Sequence, residues 1–193
     1  YPILIEGDTE YAAFEAVMNR DPERYPISKR PILIRARGKF TLALLSKMLH
    51  HFKVPYSVLH DCDSPFNSNG RRNNAWTANK QIYTVVKQSR EEGNKVIHKT
   101  SVPYFEGAHA ALTVTEEGIV EDSSSKDKPF EMWLKVNNEP EVEASVAAVL
   151  DALMPDQEQE QIEHDDIELY LHSKLNMWKD MLSISDPRYR TDN

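Results

Sequence analysis

Three times within its first 93 residues the chain repeats one pattern: a short apolar run that stops at a Gly or Asp, then a longer stretch with apolar residues at helical spacing. No other feature narrows the fold so far. The runs PILIEG, PILIRARG and PYSVLHDCD each read as a buried strand, because consecutive apolar residues give way abruptly to polar ones. Between them, DTEYAAFEAVMNR offers Asp8 or Thr9 as an N-cap and puts Tyr11, Phe14, Val17 and Met18 on one helical face. KFTLALLSKMLHHF aligns Leu42, Leu45, Leu49 and Phe52 in the same way. NNAWTANKQIYTVVKQSREEG, with Trp76 and Ile82 as core contacts, stops at Gly93, where a C-cap is expected. KVIHKTSVPYF supplies a fourth strand, interrupted by Pro103.

Strand and helix in strict alternation imply right-handed crossovers and a central parallel sheet with helices on both faces, an α/β fold. In such sheets ligands bind outside the carboxyl ends of the strands, where the strand order reverses. Glu6 ends the first strand, Asp61 and Asp63 end the third, and Glu106 follows the fourth, so all four are expected at one edge. Beyond Lys135 the character changes. EVEASVAAVLDALM spaces Val146, Val149, Leu150 and Leu153 for a helix, and IELYLHSKLNMWKDML does so with Ile167, Leu171, Leu175, Trp178 and Leu182. The expected organisation is an α/β body over residues 1–135 and an acidic helical appendage over 136–193.

The carboxylates carry the chemistry. In an extended segment residues i and i+2 share a face, so Asp61 and Asp63 point together while Cys62 points away. Two such charges repel, and in a closed crevice they raise each other's pKa unless a cation sits between them. Hard cations such as Mg²⁺ or Mn²⁺ match an oxygen-only donor set. A turn opened by Asp63-Ser64-Pro65 is the rival reading of the pair, and a first-turn acid stabilised by the helix dipole is the rival reading of Glu10. In IEGDTE, Glu6 can face the crevice from the strand while Glu10 returns to it from the helix.

Charge is unevenly divided. The chain has 193 residues and a formal net charge of −8; residues 1–135 hold 19 Lys+Arg against 17 Asp+Glu, and 136–193 hold 4 against 14. The body is therefore mildly basic, which permits a polyanionic partner, and the acidity belongs to the tail. One cysteine, Cys62, excludes an internal disulfide and a cysteine-based zinc site, and a reducing cytoplasmic setting is the default expectation. No apolar run is long enough to span a bilayer. The start at Tyr1 suggests a fragment of a longer protein.

ILIEGDTEYAAF, then RGKF before a Leu-rich helix, then PYSVLHDCDSP, resembles the Toprim domain of the OLD (overcoming lysogenization defect) family nucleases. SVPYFEGA and KDKPFEMW extend the resemblance over roughly residues 2–135, and it is most similar to the C-terminal region of a class 2 member. The resemblance implies a Rossmann-like Toprim sheet and two-metal, Mg²⁺- or Mn²⁺-dependent cleavage of DNA. It further implies an ABC-type ATPase domain preceding this region in the full-length protein; no Walker A sequence occurs here. Carried onto this chain, the metal ligands are Glu6, Glu10, Asp61 and Asp63, with Glu106 as a further one, and Glu6 is also catalytic. The family's lysine near the scissile phosphate falls on Lys128, with Lys126 and Lys174 as competitors.

Lys39, at a helix start where backbone N–H groups favour phosphate, and Arg71 and Arg72, in the loop FNSNGRRNN, are the candidate DNA-backbone contacts. A haloacid-dehalogenase-type phosphatase also uses D-x-D, but on its first strand, which here ends in Glu6. Toprim topoisomerase or primase fragments and a metal-binding regulatory module of an ATPase are the remaining alternatives.

Overall fold

The computed structural model describes residues 1–110, 113–115, 118–120, 127–156, 166–182 and 185–190. The four apolar runs are strands β1 (Pro2–Ile5), β2 (Ile32–Arg35), β3 (Tyr56–Asp61) and β4 (Val96–Ser101), joined in one all-parallel sheet of order β2-β1-β3-β4. Among the described residues there are seven α-helices: α1 (Asp8–Arg20), α2 (Lys39–His51), α3 (Asn74–Glu91), α4 (Phe105–His109), α5 (Lys128–Asn138), α6 (Pro140–Ala152) and α7 (Ile167–Leu182). Two short strands, β5 (Thr113–Thr115) and β6 (Gly118–Val120), pair antiparallel apart from the main sheet.

Alternation along the strands divides the core in two. Ile3, Ile5, Leu59 and Ile97 point to one face, against Ala13, Phe14 and Val17 of α1. Leu4, Tyr56, Val58 and Val96 point to the other, against Leu42 and Ala43 of α2 and Ile82 and Val86 of α3. Each of these buried aliphatic side chains contributes roughly 1.5–3 kcal/mol through burial. This is the α/β sheet with helices on both faces that the alternation predicts.

Local departures have local causes. Helix α1 begins at Asp8, so its cap position falls on Gly7, and the Glu10 carboxylate closes the first turn by accepting the Gly7 N–H at 3.2 Å. Neither Asp8 nor Thr9 is the cap. Helix α2 ends at His51, so Phe52 lies beyond its last turn and is 70% exposed instead of continuing the Leu42 stripe. Gly93, at φ +82°, takes the left-handed conformation expected just beyond α3.

The C-terminal helices take separate sides. Helix α5 packs along α1, and α6 packs on both, placing Met132, Val136, Val142, Val146, Leu150 and Leu153 in the same core as Ile3 and Phe14. Ser57 of β3 donates to the Leu153 carbonyl at 2.5 Å, and Tyr25 donates to Asp151 at 2.7 Å. Residue 135 falls inside α5. Helix α7 packs on α3 and surrounds Cys62 and Trp76 with Ile167, Leu171, Leu175 and Trp178. Among the described residues no helix is long and apolar enough to cross a membrane.

Candidate metal centre

The strand order fixes where the crevice lies. From β1 the chain steps outward to β2, then crosses back to place β3 on the other side of β1, so the order reverses between β1 and β3. Glu6 directly follows β1 and Asp61 closes β3. A Glu6 carboxylate oxygen accepts the Asp61 backbone N–H at 3.2 Å. Glu10, 4% exposed, comes to the same place from the first turn of α1, and Glu106 arrives in the first turn of α4. Asp61 Oδ1 accepts the backbone N–H of Phe105, the first residue of α4, at 2.8 Å.

The segment after β3 is held by main-chain bonds that continue the β3–β4 pairing. Cys62 N–H donates to the Ser101 carbonyl at 2.8 Å, and Asp63 N–H donates to the Pro103 carbonyl at 2.7 Å. Asp63 has φ +64°, a left-handed conformation that Asp tolerates better than most side chains. Asp61 and Asp63 therefore do not share a face by simple pleat; β3 ends at Asp61 and the chain turns. Cys62 is fully buried toward α3 and α7, away from the carboxylates.

The carboxylates feel one another. Burial raises the Asp61 pKa well above the ordinary Asp value, and the charges of Glu10, Glu6 and Asp63 raise it further. Glu10 is pushed up to about 7, mainly by burial and then by Glu6 and Glu106. Glu6 is raised by burial, and beyond that by Asp63 and Glu106, against the opposing Lys39 charge. Several carboxyl groups raised together by burial and by one another make this edge a candidate site for positive charge.

One positive charge is already inside. Lys39, the first residue of α2, is 4% exposed and forms an ion pair with Asp63. Its ammonium also donates to Asn79 Oδ1 at 2.9 Å and lies 3.3 Å from the Ala75 carbonyl and 3.4 Å from that of Cys62. Arg37 at φ +56° and Gly38 at φ +123° turn the chain inward ahead of it. The lysine expected at the helix mouth for phosphate thus has its charge within the crevice.

Oxygen donors from β1, α1, β3 and α4 fit a hard divalent cation in chemistry and charge. Their present bonds keep them apart: among the described residues no three His, Cys, Asp or Glu side chains are grouped closely enough to hold an ion. Glu6 is turned to the Asp61 N–H, Glu10 to the Gly7 N–H, Asp61 to the Phe105 N–H and Asp63 to Lys39.

The remaining expected residues lie around this edge or away from it. Lys128 begins α5 with its ammonium 5.5 Å from the centre of the Tyr104 ring, one residue before α4. Lys126 lies outside the described residues. Lys174 is on α7, 5.3 Å above the Tyr170 ring. Arg71 and Arg72 are exposed in the loop ahead of α3, and Arg72 pairs with Glu168 of α7 at 2.8 Å.

Asn79, the Phe105 N–H and His98 went unread in the sequence. Asn79 is buried on α3, donating to the Cys62 carbonyl at 2.8 Å while accepting from Lys39. The N–H of Phe105 gives Asp61 a donor from a helix too short to show periodicity. His60 and His98, both buried, meet through their Nε2 atoms at 2.8 Å. Because His60 Nδ1 bonds the Asp61 carbonyl, that nitrogen carries the proton, and His98 donates across the pair. An Asn three residues after Trp76 on an otherwise core-facing stripe was the available signal for Asn79.

No curated protein matches the chain. A family model described as overcoming lysogenization defect protein-like, TOPRIM domain, matches residues 1–63. That segment spans β1 to the turn after β3 and contains Glu6, Glu10, Lys39, Asp61 and Asp63. Residues 1–63 of the 193 are therefore similar to an OLD-like TOPRIM domain.

Proposed function

We propose that the chain is the catalytic part of a divalent-cation-dependent DNA endonuclease. The observation that carries this reading is the bond from the Asp61 N–H to the Glu6 carboxylate at the switch between β1 and β3, with Glu10, Asp63 and Glu106 near enough for their charges to raise the pKa of one or both. The similarity to an OLD-like TOPRIM model over residues 1–63, which hold Glu6, Glu10, Asp61 and Asp63 but not Glu106, supports it. Two bound Mg²⁺ or Mn²⁺ ions would supply activation of the attacking water and stabilisation of the leaving oxygen.

The chain's own residues divide the remaining work. Glu6, Asp61 and Asp63 hold charge at the strand ends, and Glu10 and Glu106 close the site from two helices. The Phe105 N–H keeps Asp61 oriented without adding charge. Lys128, beside Tyr104, would stabilise the negative charge gathered at phosphorus. Arg71 and Arg72 would steady the DNA backbone, and Lys39 acts from inside the site. An ATPase domain of the same full-length protein is the proposed partner.

Incubation of supercoiled plasmid with the chain and Mg²⁺ or Mn²⁺ tests the reading. Nicked and then linear DNA, abolished by a chelator, is the expected result. Cation binding without any cleavage would instead favour a regulatory TOPRIM module.

A further inference from the structure

Lysine seldom sits where Lys39 does. Its side chain is 2% exposed, and a buried ammonium is tolerated only when it is paired and hydrogen-bonded. Here it is both. Asp63 supplies the counter-charge, and Asn79 Oδ1 and the carbonyls of Ala75 and Cys62 surround the three N–H groups. Asn79 is itself fixed, since its amide donates to the Cys62 carbonyl and so turns its oxygen toward Lys39. The arrangement is built into three elements: the left-handed turn before α2, the turn after β3, and the second helical turn of α3.

This cation stands among carboxylates that would otherwise face one another. Its charge opposes the mutual repulsion at Glu6 and at Asp61. It also occupies Asp63, which the metal-dependent reading needs as a ligand. An ammonium and a divalent cation cannot both sit on the same carboxylate oxygen without strong repulsion at low dielectric.

We infer that Lys39 is the resident counter-ion of the carboxylate cluster, holding Asp63 while no divalent cation is bound and competing with that cation for it. The inference rests on the proposed metal-dependent reading of the site. Lys39 is thus a positioning residue that sets the cation affinity, in place of the DNA contact its position at a helix start suggested. Two consequences follow from one charge: its removal loosens the cation-free protein and tightens the grip on the cation.

The test uses the 193-residue chain, its Lys39→Met and Lys39→Arg variants, and the double variant Lys39→Met/Asp63→Asn. Thermal midpoints are measured in chelator, and Mn²⁺ binding is measured by calorimetric titration. Lys39→Met is expected to melt lower in chelator, with more than half of the loss recovered in the double variant, where Asp63 no longer carries an uncompensated charge. It is also expected to bind Mn²⁺ at least about fivefold tighter, the lower end of ordinary coupling between two sites. Lys39→Arg should stay near the parent in both. If Lys39→Met fails to fold, Lys39→Gln keeps a donor toward Asn79 and is titrated in its place.

Mn²⁺ uptake by the parent with no tightening in the neutral variant overturns the inference alone. A double variant that melts no higher than Lys39→Met overturns it as well. Absence of uptake by parent and variants alike overturns the metal-dependent reading first, and the inference with it.

Discussion

The Glu6 carboxylate accepts the backbone N–H of Asp61 at 3.2 Å, which ties the ends of β1 and β3 together across the point where strand order reverses. The bond keeps Glu6 beside Asp61 while leaving the Asp61 carboxylate free to take the Phe105 N–H. Replacing Asp61 by Asn keeps an acceptor for Phe105 but removes the charge. Asp61→Asn and Glu6→Ala are each expected to lower plasmid cleavage by roughly 10²–10³-fold or more, the order set by loss of one electrostatic group at a reacting centre. Circular dichroism should be unchanged, and retained activity in either variant would remove that residue from the site.

Stability in chelator should depend on pH in a stated direction. The folded chain raises Glu10 from 4.5 to about 7, so the folded state holds its proton more tightly than the unfolded chain does. Stability from this group is complete below about pH 4.5 and is lost as pH rises through about 7. Glu6 and Asp61 are shifted in the same direction. Glu10→Gln should therefore flatten the fall in thermal midpoint between pH 5 and 8, measured with the parent in the same buffers; a parallel curve would show that Glu10 does not titrate there. His109, lowered to about 4 by burial, acts oppositely: its contribution is present above 6.5 and lost as pH falls toward 4.

Lys128 is expected to bear on turnover and not on cation binding. Its ammonium lies over Tyr104, next to the helix whose first N–H holds Asp61. Lys128→Ala should cut single-turnover cleavage by about 10²-fold or more while leaving Mn²⁺ affinity within about twofold of the parent. An equal loss in Lys126→Ala, with Lys128→Ala unaffected, would transfer the role.

Arg72 is expected to contact DNA through phosphate alone. Arg72→Ala should weaken duplex binding for every sequence tested and reduce the slope of log affinity against log salt by about one. An unchanged slope would leave Arg72 as the partner of Glu168 only.

The C-terminal segment is expected to matter for the body. Leu150 is fully buried against the α1 side of the sheet. Leu150→Ala should cost about 2–5 kcal/mol in denaturant unfolding, the range for emptying a core leucine position. A loss below about 1 kcal/mol would mean that α6 adds little to this core.

Much of this architecture was readable because apolar periodicity and burial coincide. PILI and VIHKTS become strands because their apolar residues have a helix on each side, whereas ILIR, expected as a buried strand, lies at the sheet edge with Ile32 62% exposed and pairs with β1. The conformation of Asp63 was not readable, since a left-handed residue after a strand leaves no trace in hydropathy. The burial of Lys39 was not readable for a related reason: position at a helix start says which backbone groups are free, whereas the turn at Arg37-Gly38 decides where the side chain goes. Periodicity also gave α6 its apolar face without saying which surface it would meet; that surface is formed by α1 and α5.

The packing of α5 and α6 over α1 also orders events in time. One face of the sheet is covered in part by residues close to it in sequence, and in part by Val136, Val146, Leu150 and Leu153, more than a hundred residues after Ile3. Such distant contacts close late, because loop closure must precede the burial that rewards it. During synthesis β1 and α1 therefore wait, half-covered, until the ribosome has delivered Leu153, and aggregation has its widest opening in that interval.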